Sequence, residues 1–363
     1  MVTALHDPTQ GRVPIFKYWK RKIQVMLGRK WYLMSDEELL GVRLRDLPLR
    51  IAGTSLEQRV ERLYGELENR GIGFRPHVWL SEEWFTPDGV PGIAIPFYLA
   101  HPRLIKLERR QMLEVEGGTD VECMRILRHE AGHALDNAFR LHFKRRWRDL
   151  FGSFAAPYPE SYKPRPNSRN FVLHLASWYA QAHPAEDFAE TFAVWLTPGS
   201  KWRVRYKGWP VLRKLEYVDE VMSELVRQTP KNKLRVKVEP LSESSVTLGE
   251  HYERKRAYYS FDLSPDYDRN LSSIFSDDLR YAMRPSATSF LRALRPEVVE
   301  AVAEGTGVHL YTINHLLQDM IERSKKLKLR LRLSQVQTKR MVLIALTVQT
   351  MNVVHSGYHR IAL

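Results

Sequence analysis

The chain has very little cysteine, because Cys123 is the single one among its 363 residues. An intramolecular disulfide is therefore excluded, and a chain of this length can bury enough apolar surface without such a staple. The first residues also lack the apolar stretch and small-residue cleavage site of a secretory signal peptide. Together these absences predict a cytoplasmic location.

Long apolar runs are also missing. The longest, Met341–Val348, continues into the polar residues Gln349, Thr350 and Asn352. It therefore falls short of the roughly 20 apolar residues that a membrane-spanning helix needs. The sequence predicts no membrane span, and it favours a buried helix for this run.

Internal repeats, low-complexity tracts and glycine-rich phosphate loops are absent as well, which removes repeat architectures and the common nucleotide-binding loops from consideration. What is present is ordinary: 44% of the residues are hydrophobic and 11% are aromatic. This composition is typical of a folded globular protein and argues against extended disorder.

Positive charge lies mainly at the two ends of the chain. The net charge is +14, of which residues 1–33 supply +6 and residues 321–363 supply +8, so the middle is neutral overall. Basic ends suggest an acidic partner such as nucleic acid or an anionic surface, although basic segments are also commonly just solvated faces. Nucleic acid is thus an open possibility as a partner.

Hydrophobic periodicity and turn residues predict a mixture of helices and strands. The predicted elements are two helices within Ser35–Gly71, strands at Pro76–Leu80 and Gly92–Leu99, a helix at Thr119–Phe143, a helix from Pro184 to just before Pro198, a strand at Lys233–Glu239, and a mostly helical last hundred residues.

The predicted helix Thr119–Phe143 contains the residues that carry chemistry. His129 and His133 are four residues apart, so on a helix they project from one face and can reach the same ion. This spacing is the signature of a zinc site. Glu130 lies next to the first histidine, where a carboxylate can take a proton from a metal-bound water and pass it to the leaving amine.

A catalytic zinc usually has three protein ligands and one open position, so a third ligand must be found. The zinc pattern that has a glycine three residues after the second histidine, and another histidine three residues further on, is excluded. Asp136 and Phe139 occupy those two positions. The third ligand must come from another part of the chain.

The helix that begins at Pro184 offers Glu186 and Glu190, which lie one turn apart on one face between alanines. We favour Glu186 as the metal ligand and Glu190 as the acceptor that orients a ligand histidine through its other ring N–H. The exchange of these two roles stays open. An acid in the first turn of a helix can also simply interact with the helix dipole.

Three segments resemble a known family, the bacterial proteins described as putative zinc-binding metallopeptidases. They are Pro91–Leu104, the stretch His129-Glu-Ala-Gly-His-Ala, and His183-Pro-Ala-Glu-Asp-Phe-Ala-Glu-Thr-Phe-Ala. The likeness extends over roughly residues 35–230. More remotely, Pro184-Ala-Glu-Asp-Phe-Ala is similar to the glutamate-bearing segment of gluzincin-type peptidases, and this likeness implies that Glu186 is the third metal ligand.

The resemblance implies a zincin-like fold and peptidase chemistry but no particular substrate. Some members carry an N-terminal cysteine-rich zinc ribbon, which this chain lacks. We therefore expect an α+β protein with a basic, helical N-terminal segment at residues 1–70, a zincin-like catalytic core at 71–230 and a mostly helical C-terminal region at 231–363.

The expected reaction is hydrolysis of peptide bonds in a protein or peptide substrate, with Zn²⁺ as cofactor. The alternative is a nucleic-acid-associated regulator in which the zinc is structural or the activity is gated by a partner. Four residues before or at the start of the second helix are candidates to stabilise the oxyanion, and none is assigned: Tyr158, Tyr162, Tyr179 and His183. The strand at Gly92–Leu99 is the candidate edge for pairing with substrate.

Overall fold

The computed structural model describes residues 31–159, 162–259, 271–306, 308 and 310–356. The predictions for the basic segment at residues 1–30 lie outside the described residues.

Helices make up most of the described chain. They are α1 (Asp36–Leu40), α2 (Ser55–Asn69), α3 (Pro102–Met112), α4 (Asp120–Phe139), α5 (Arg145–Phe151), α6 (Pro184–Leu196), α7 (Trp202–Arg205), α8 (Leu212–Leu225), α9 (Leu248–Tyr259), α10 (Ala287–Thr306), α11 (Leu310–Lys326) and α12 (Gln335–Ser356). Among the described residues, no helix is both long and apolar enough to cross a bilayer.

Within the described residues, two small sheets accompany these helices. The strands are β1 (His77–Ser81), β2 (Gly92–Pro96), β3 (Phe275–Ser276) and β4 (Arg330–Leu331). The first two pair in parallel and the last two pair antiparallel. A mainly helical chain with small sheets is consistent with the predicted α+β class.

The predicted strand at Gly92–Leu99 ends early, at Pro96. Residues Phe97–Ala100 turn into a 3-10 helix instead, and they are followed by α3. Strand β2 is also less open than expected: β1 covers one side, and on the other side the N–H of Ala94 donates to the carbonyl of Phe85 at 2.8 Å. The segment around Phe85, rather than β2, therefore forms the outer edge of this sheet.

The predicted strand at Lys233–Glu239 is wrong, because these residues form no strand. We call residues 231–239 the strap. It is held by side chains of β1 instead of by a backbone ladder: His77 Nε2 donates to the carbonyl of Val236 at 2.9 Å, and Trp79 Nε1 donates to that of Val238 at 2.9 Å. Alternating charged and apolar residues indicate an extended segment, but they do not show which groups hold it.

Two large hydrophobic clusters organise the described residues, and a third, small one contains Trp79, Val90 and Ala94. The first contains residues from Trp31 to Tyr252 and includes the buried sides of α2, α4, α6 and α8. The second contains residues from Leu271 to Leu346 and includes those of α10, α11 and α12. The division into residues 1–70, 71–230 and 231–363 stays a prediction.

The apolar run Met341–Val348 lies in α12, and its prediction as a buried helix holds for one side of that helix. Val342 and Leu346 are fully buried, whereas Ile344 and Val348 are half exposed. The run is apolar on every side of the helix, so its pattern could not show which side faces the cluster.

Candidate metal centre

Helix α4 places the two histidines on the same side, one turn apart. The hydroxyl of Thr119 caps its first turn by accepting from the N–H of Glu122 at 3.2 Å. The helix then runs unbroken to Phe139, four residues short of the predicted end, because Arg140 adopts a left-handed conformation with φ 55°. His129 and His133 therefore share one side of a regular helix, with ring centroids 4.8 Å apart.

Helix α6 lies directly against α4 and carries both glutamates. Gly132 makes this close approach possible, because a Cβ built there would lie only 2.9 Å from Cα of Ala189. At the start of α6, His183 caps the helix by accepting the N–H of Ala185 on Nδ1, and Pro184 occupies the first helical position. The small residues between the helices thus set the distance from the histidines to the glutamates.

Three ligand-type atoms meet between α4 and α6. Oε2 of Glu186 lies 3.0 Å from Nε2 of His129 and 3.1 Å from Nε2 of His133, and the two Nε2 atoms are 3.1 Å apart. Among the described residues, these three form the one group of histidine, cysteine and carboxylate side chains close enough to hold a metal ion. The structure therefore brings together His129, His133 and Glu186.

The triangle that these atoms form has the size expected around zinc. Donor atoms about 2.0–2.1 Å from a zinc ion with tetrahedral angles lie about 3.3 Å from one another. The observed separations of 3.0–3.1 Å are slightly shorter. The nitrogen, nitrogen and oxygen donors are also those that zinc prefers.

Glu190 lies on the other side of the His129 ring. Its Oε1 is 2.8 Å from Nδ1 of His129, and its Oε2 accepts the backbone N–H of Leu175 at 2.8 Å. Because a carboxylate can only accept, Nδ1 of His129 must carry the proton. In the charged ring Nε2 also carries a proton, which it donates to Glu186, and Nε2 is the ring nitrogen that can give up its proton to bind a metal.

The histidines and glutamates of this group hold each other in their charged forms. Burial alone lowers the pKa of His129, but hydrogen bonds to Glu186 and Glu190 outweigh it and raise the pKa to about 10. The pKa of His133 is raised by Glu186 against the same effect of burial. For Glu186, burial raises the pKa, but the two histidines hold it well below its usual range. The buried glutamate charges are thus stabilised only by positive charge beside them, which the protonated histidines supply here.

The carboxyl group of Glu130 is buried and only partly bonded. Its Oε2 has no hydrogen-bond partner among the described residues. Burial raises the pKa of Glu130, while the charges of the nearby His129 and His133 oppose that rise. A buried carboxylate with a free oxygen beside the donor triangle can accept a proton from a molecule bound there.

The turn before β2 reaches this glutamate, which the sequence did not indicate. The hydroxyl of Thr86 donates to the backbone carbonyl of Glu130 at 3.2 Å. Asn137, one turn beyond His133, accepts the N–H of Gly89 at 3.1 Å and donates to the carbonyls of Pro87 and Val90 at 3.0 Å. Thr86 and Asn137 match no catalytic pattern, and only the three-dimensional contact shows their relation to the site.

Among the four oxyanion candidates, Tyr158 makes the most direct contact with the site. Its hydroxyl donates to Oε1 of Glu186 at 2.8 Å, and its ring stacks on that of His183 with centroids 3.8 Å apart. His183 itself is fully engaged, because Nδ1 accepts from Ala185 and Nε2 lies 2.8 Å from the carbonyl of Ala156. His183 is thus a helix cap and a stacking platform.

Tyr162 and Tyr179 also lie near the glutamates. Burial raises the pKa of both hydroxyl groups above the usual range, helped by the negative charges of Glu190 and Glu186 at Tyr162 and of Glu186 at Tyr179. The ring of Tyr179 has its centroid 5.6 Å from that of His129. Both phenols therefore remain protonated in this environment and can donate hydrogen bonds.

Other histidines, and the single cysteine, lie outside this group of ligand-type side chains. Nε2 of His174 donates to the carbonyl of Arg125 at 3.0 Å, and burial lowers the pKa of His174 to about 4. Nδ1 of His101 accepts the N–H of Arg103 at the start of α3. Cys123 is buried, and burial raises the pKa of its thiol to about 11.

Comparison with known proteins links this site to one family. Residues 121–202, less than a quarter of the chain, match the family model described as "Putative zinc-binding metallo-peptidase". The match confirms the resemblance for α4 and α6 but does not reach the segment Pro91–Leu104. No curated protein and no solved structure matches the chain.

Proposed function

We propose that the protein is a zinc-dependent peptidase in which His129, His133 and Glu186 hold the metal. The observation that carries this proposal is the triangle of Nε2, Nε2 and Oε2 atoms 3.0–3.1 Å apart between two helices. The family match over residues 121–202 supports it, because that match spans both helices and describes a zinc-binding metallopeptidase.

Zinc bound at these three residues would supply an acidified water and polarise a substrate carbonyl. The chain itself supplies the acceptor for the proton. Glu130 has a buried oxygen without a hydrogen-bond partner among the described residues and a raised pKa, so it can accept a proton from the attacking water and return it to the leaving amine. In this proposal Glu130 is the general base.

Glu190 and Tyr158 orient two of the ligands. Glu190 accepts from Nδ1 of His129 and so keeps Nε2 available as a donor atom. Tyr158 donates to Oε1 of Glu186, which leaves only Oε2 directed at the histidines. Glu186 would then bind through one oxygen, so that the open position needed for water is kept.

The segment around Phe85 and Thr86 is the proposed edge for pairing with the substrate backbone. Phe85 bridges to β2 on its inner side, and Thr86 contacts Glu130, so the segment lies between the sheet and the general base. This replaces the assignment of β2, whose two sides are both occupied. The zincin-like arrangement would then comprise β1, β2, α4 and α6 within the proposed core at residues 71–230.

The proposed substrate is a protein or peptide, and the proposed location is the cytoplasm. The location rests on the single, buried Cys123, since a reducing compartment suits a chain without disulfides. Fractionation followed by immunoblotting would locate the protein. Recovery mainly outside the cytoplasmic fraction would contradict this part of the proposal.

The decisive experiment compares the wild type with Glu130→Gln. The amide keeps the volume and the position but cannot act as a base, so zinc content should stay near wild type while cleavage is lost. Cleavage would be measured as new N-termini in a proteome-derived peptide library by mass spectrometry. Equal cleavage by both proteins, or no cleavage by zinc-loaded wild type, would contradict the proposal.

A further inference from the structure

The strap carries a dense and unpaired positive charge. From Val226 to Val238 there are five cations, four of them in the strap, and the strap's single acidic residue, Glu239, follows them at its end. Lys233, Arg235 and Lys237 recur at every second position, and their side chains are exposed. Within the described part of the chain none of the five forms a salt bridge. Other arginines, such as Arg62, Arg110 and Arg146, are paired with carboxylates. This surface therefore lacks counter-charge.

The strap is extended where it crosses β1. The carbonyls of Val236 and Val238 accept from His77 and Trp79, so a step of two residues in the strap matches a step of two in the strand. A strand rises about 3.3 Å per residue, and the strap must rise by about the same amount. Glu239, with φ 46°, ends this extended stretch.

One side of the extended stretch offers free backbone groups. In a strand the N–H and C=O of one residue point to the same side, and successive residues alternate. The carbonyls of Val236 and Val238 point toward β1, so we expect the backbone groups of Arg235 and Lys237, which alternate with them, to point away from it. Among the described residues no backbone hydrogen bond is made by Arg235 or Lys237. The extended part of the strap thus presents an edge of unpaired backbone groups.

We propose that the strap binds an extended acidic peptide segment of a partner protein, which pairs as a strand with Arg235 and Lys237. Acidic side chains at every second position of the partner would face the cations, which have the same period. Leu234 and Val236 are each half exposed, and they would contact the apolar side chains that alternate with the acidic ones in the partner. The partner is therefore a segment that alternates acidic and apolar residues.

The backbone groups favour a peptide over nucleic acid. Phosphates would satisfy the cations, but a nucleic acid has no alternating N–H and C=O groups to pair with a strand edge. It would also leave Leu234 and Val236 without an apolar partner. A peptide satisfies all three features of the surface at once.

The test uses the full-length chain with Glu130→Gln, so that the probe is not hydrolysed. The probe is a fluorescein-labelled nine-residue peptide that alternates glutamate and valine, and its binding is measured by anisotropy at 150 mM salt, about physiological ionic strength. Replacing Lys233, Arg235 and Lys237 with glutamine should weaken binding about tenfold, because three charge pairs are lost.

A matched control removes three exposed cations elsewhere. Lys106, Arg109 and Lys207 form no salt bridge among the described residues, and their replacement by glutamine changes the net charge by the same amount. Binding by this control should equal that of the parent. An equal loss in both variants, or no loss in the strap variant, would overturn the proposal.

Two further probes test the strand pairing and the partner class. The same peptide with alternate amides N-methylated keeps its charge but loses N–H donors, so its binding should fall to the level of the strap variant. Unchanged binding of the methylated peptide would overturn the strand pairing. Tighter binding of a 12-nucleotide single-stranded DNA than of the peptide, abolished in the strap variant, would overturn the assignment to a peptide.

Discussion

Glu186 and Glu190 lie on opposite sides of the His129 ring, and this placement gives the two carboxylates different tasks. Oε2 of Glu186 lies within 3.1 Å of both Nε2 atoms, whereas Glu190 contacts the histidine pair only through Nδ1 of His129. Replacement of Glu186 by alanine should therefore remove a ligand atom. Replacement of Glu190 by alanine should cost only about 10–100-fold in zinc affinity, because it removes an orienting group.

Competition with a graded series of zinc chelators would rank these two variants. Glu186→Ala should release zinc at the lower chelator concentration, with circular dichroism as the control for folding. If folded Glu190→Ala released its zinc first, the two roles would have to be exchanged.

Tyr158 contacts the carboxylate of Glu186 through Oε1, the oxygen that faces away from the histidines. Tyr158→Phe removes the hydrogen bond to Oε1 of Glu186 while the stacking on His183 is kept. Zinc affinity should fall by about tenfold, the lower end of the range for an orienting partner. Tyr32→Phe, at an exposed tyrosine, is the control. Equal zinc affinity in Tyr158→Phe and the wild type, measured by the same competition, would show that the hydrogen bond from Tyr158 does not orient Glu186 for zinc binding.

At the scale of elements, the contact between α4 and α6 determines whether the ligands meet. Gly132→Ala would place a Cβ 2.9 Å from Cα of Ala189, and a backbone atom cannot move aside cheaply. Overpacking typically costs about 1–3 kcal/mol, which exceeds the gain of about 1 kcal/mol from replacing glycine in a helix. We expect a lower free energy of unfolding in urea and weaker zinc binding.

Gly65→Ala in α2 is the matched control for this substitution. A Cβ at Gly65 would meet no atom within 4 Å, so only the helix gain of about 1 kcal/mol remains. If Gly132→Ala were stabilising to the same extent as Gly65→Ala, the close approach of α4 and α6 would not be rigid.

Helix α11 contains a titratable group with a measurable effect on stability. Burial, and secondarily the charge of Glu322, raise the pKa of Asp319 to about 7, and its Oδ2 has no hydrogen-bond partner among the described residues. The unfolded pKa is about 3.9. The folded state therefore keeps the proton between these two values, and stability falls as the pH rises from about 4 to about 7.

Asp319→Asn should abolish this part of the pH dependence. Each unit of pKa shift corresponds to about 1.4 kcal/mol, so the wild type should lose up to a few kcal/mol relative to the variant between pH 4 and pH 7. Urea unfolding at several pH values measures the difference. The exposed Asp277→Asn is the control. A constant difference between the wild type and Asp319→Asn across this range would contradict the raised pKa.

The elements that the sequence predicted well are those with a local cause. The capping threonine, the histidine spacing and Pro184 lie within the helices that they define, so α4 and α6 follow from a few adjacent residues. The strap and Thr86 could not be predicted in the same way. Their roles depend on side chains of β1 and on a contact with Glu130 that is distant in sequence. The early end of α4 depends on one backbone angle at Arg140.

At the scale of the whole molecule, the proposed metal site and the C-terminal positive charge lie in different parts of the chain. The proposed ligands and the residues that orient them belong to the part that contains the first hydrophobic cluster. The C-terminal cations lie in and beside the second cluster, where Arg330 donates to the carbonyl of Arg284 at 3.1 Å. The sequence alone showed the charge at the ends but not this separation of the clusters.

This separation predicts that the C-terminal cations are dispensable for the metal site. Replacing Lys325, Lys326, Lys328, Arg330 and Arg332 with glutamine should leave zinc content and peptide turnover near wild type, because no contact found at the donor triangle involves them. Zinc content would be measured by atomic absorption and folding by circular dichroism. If the cations serve nucleic acid, the variant should also show a shallower salt dependence of DNA binding. A collapse of turnover with zinc and fold intact would show that the C-terminal region forms part of the active site.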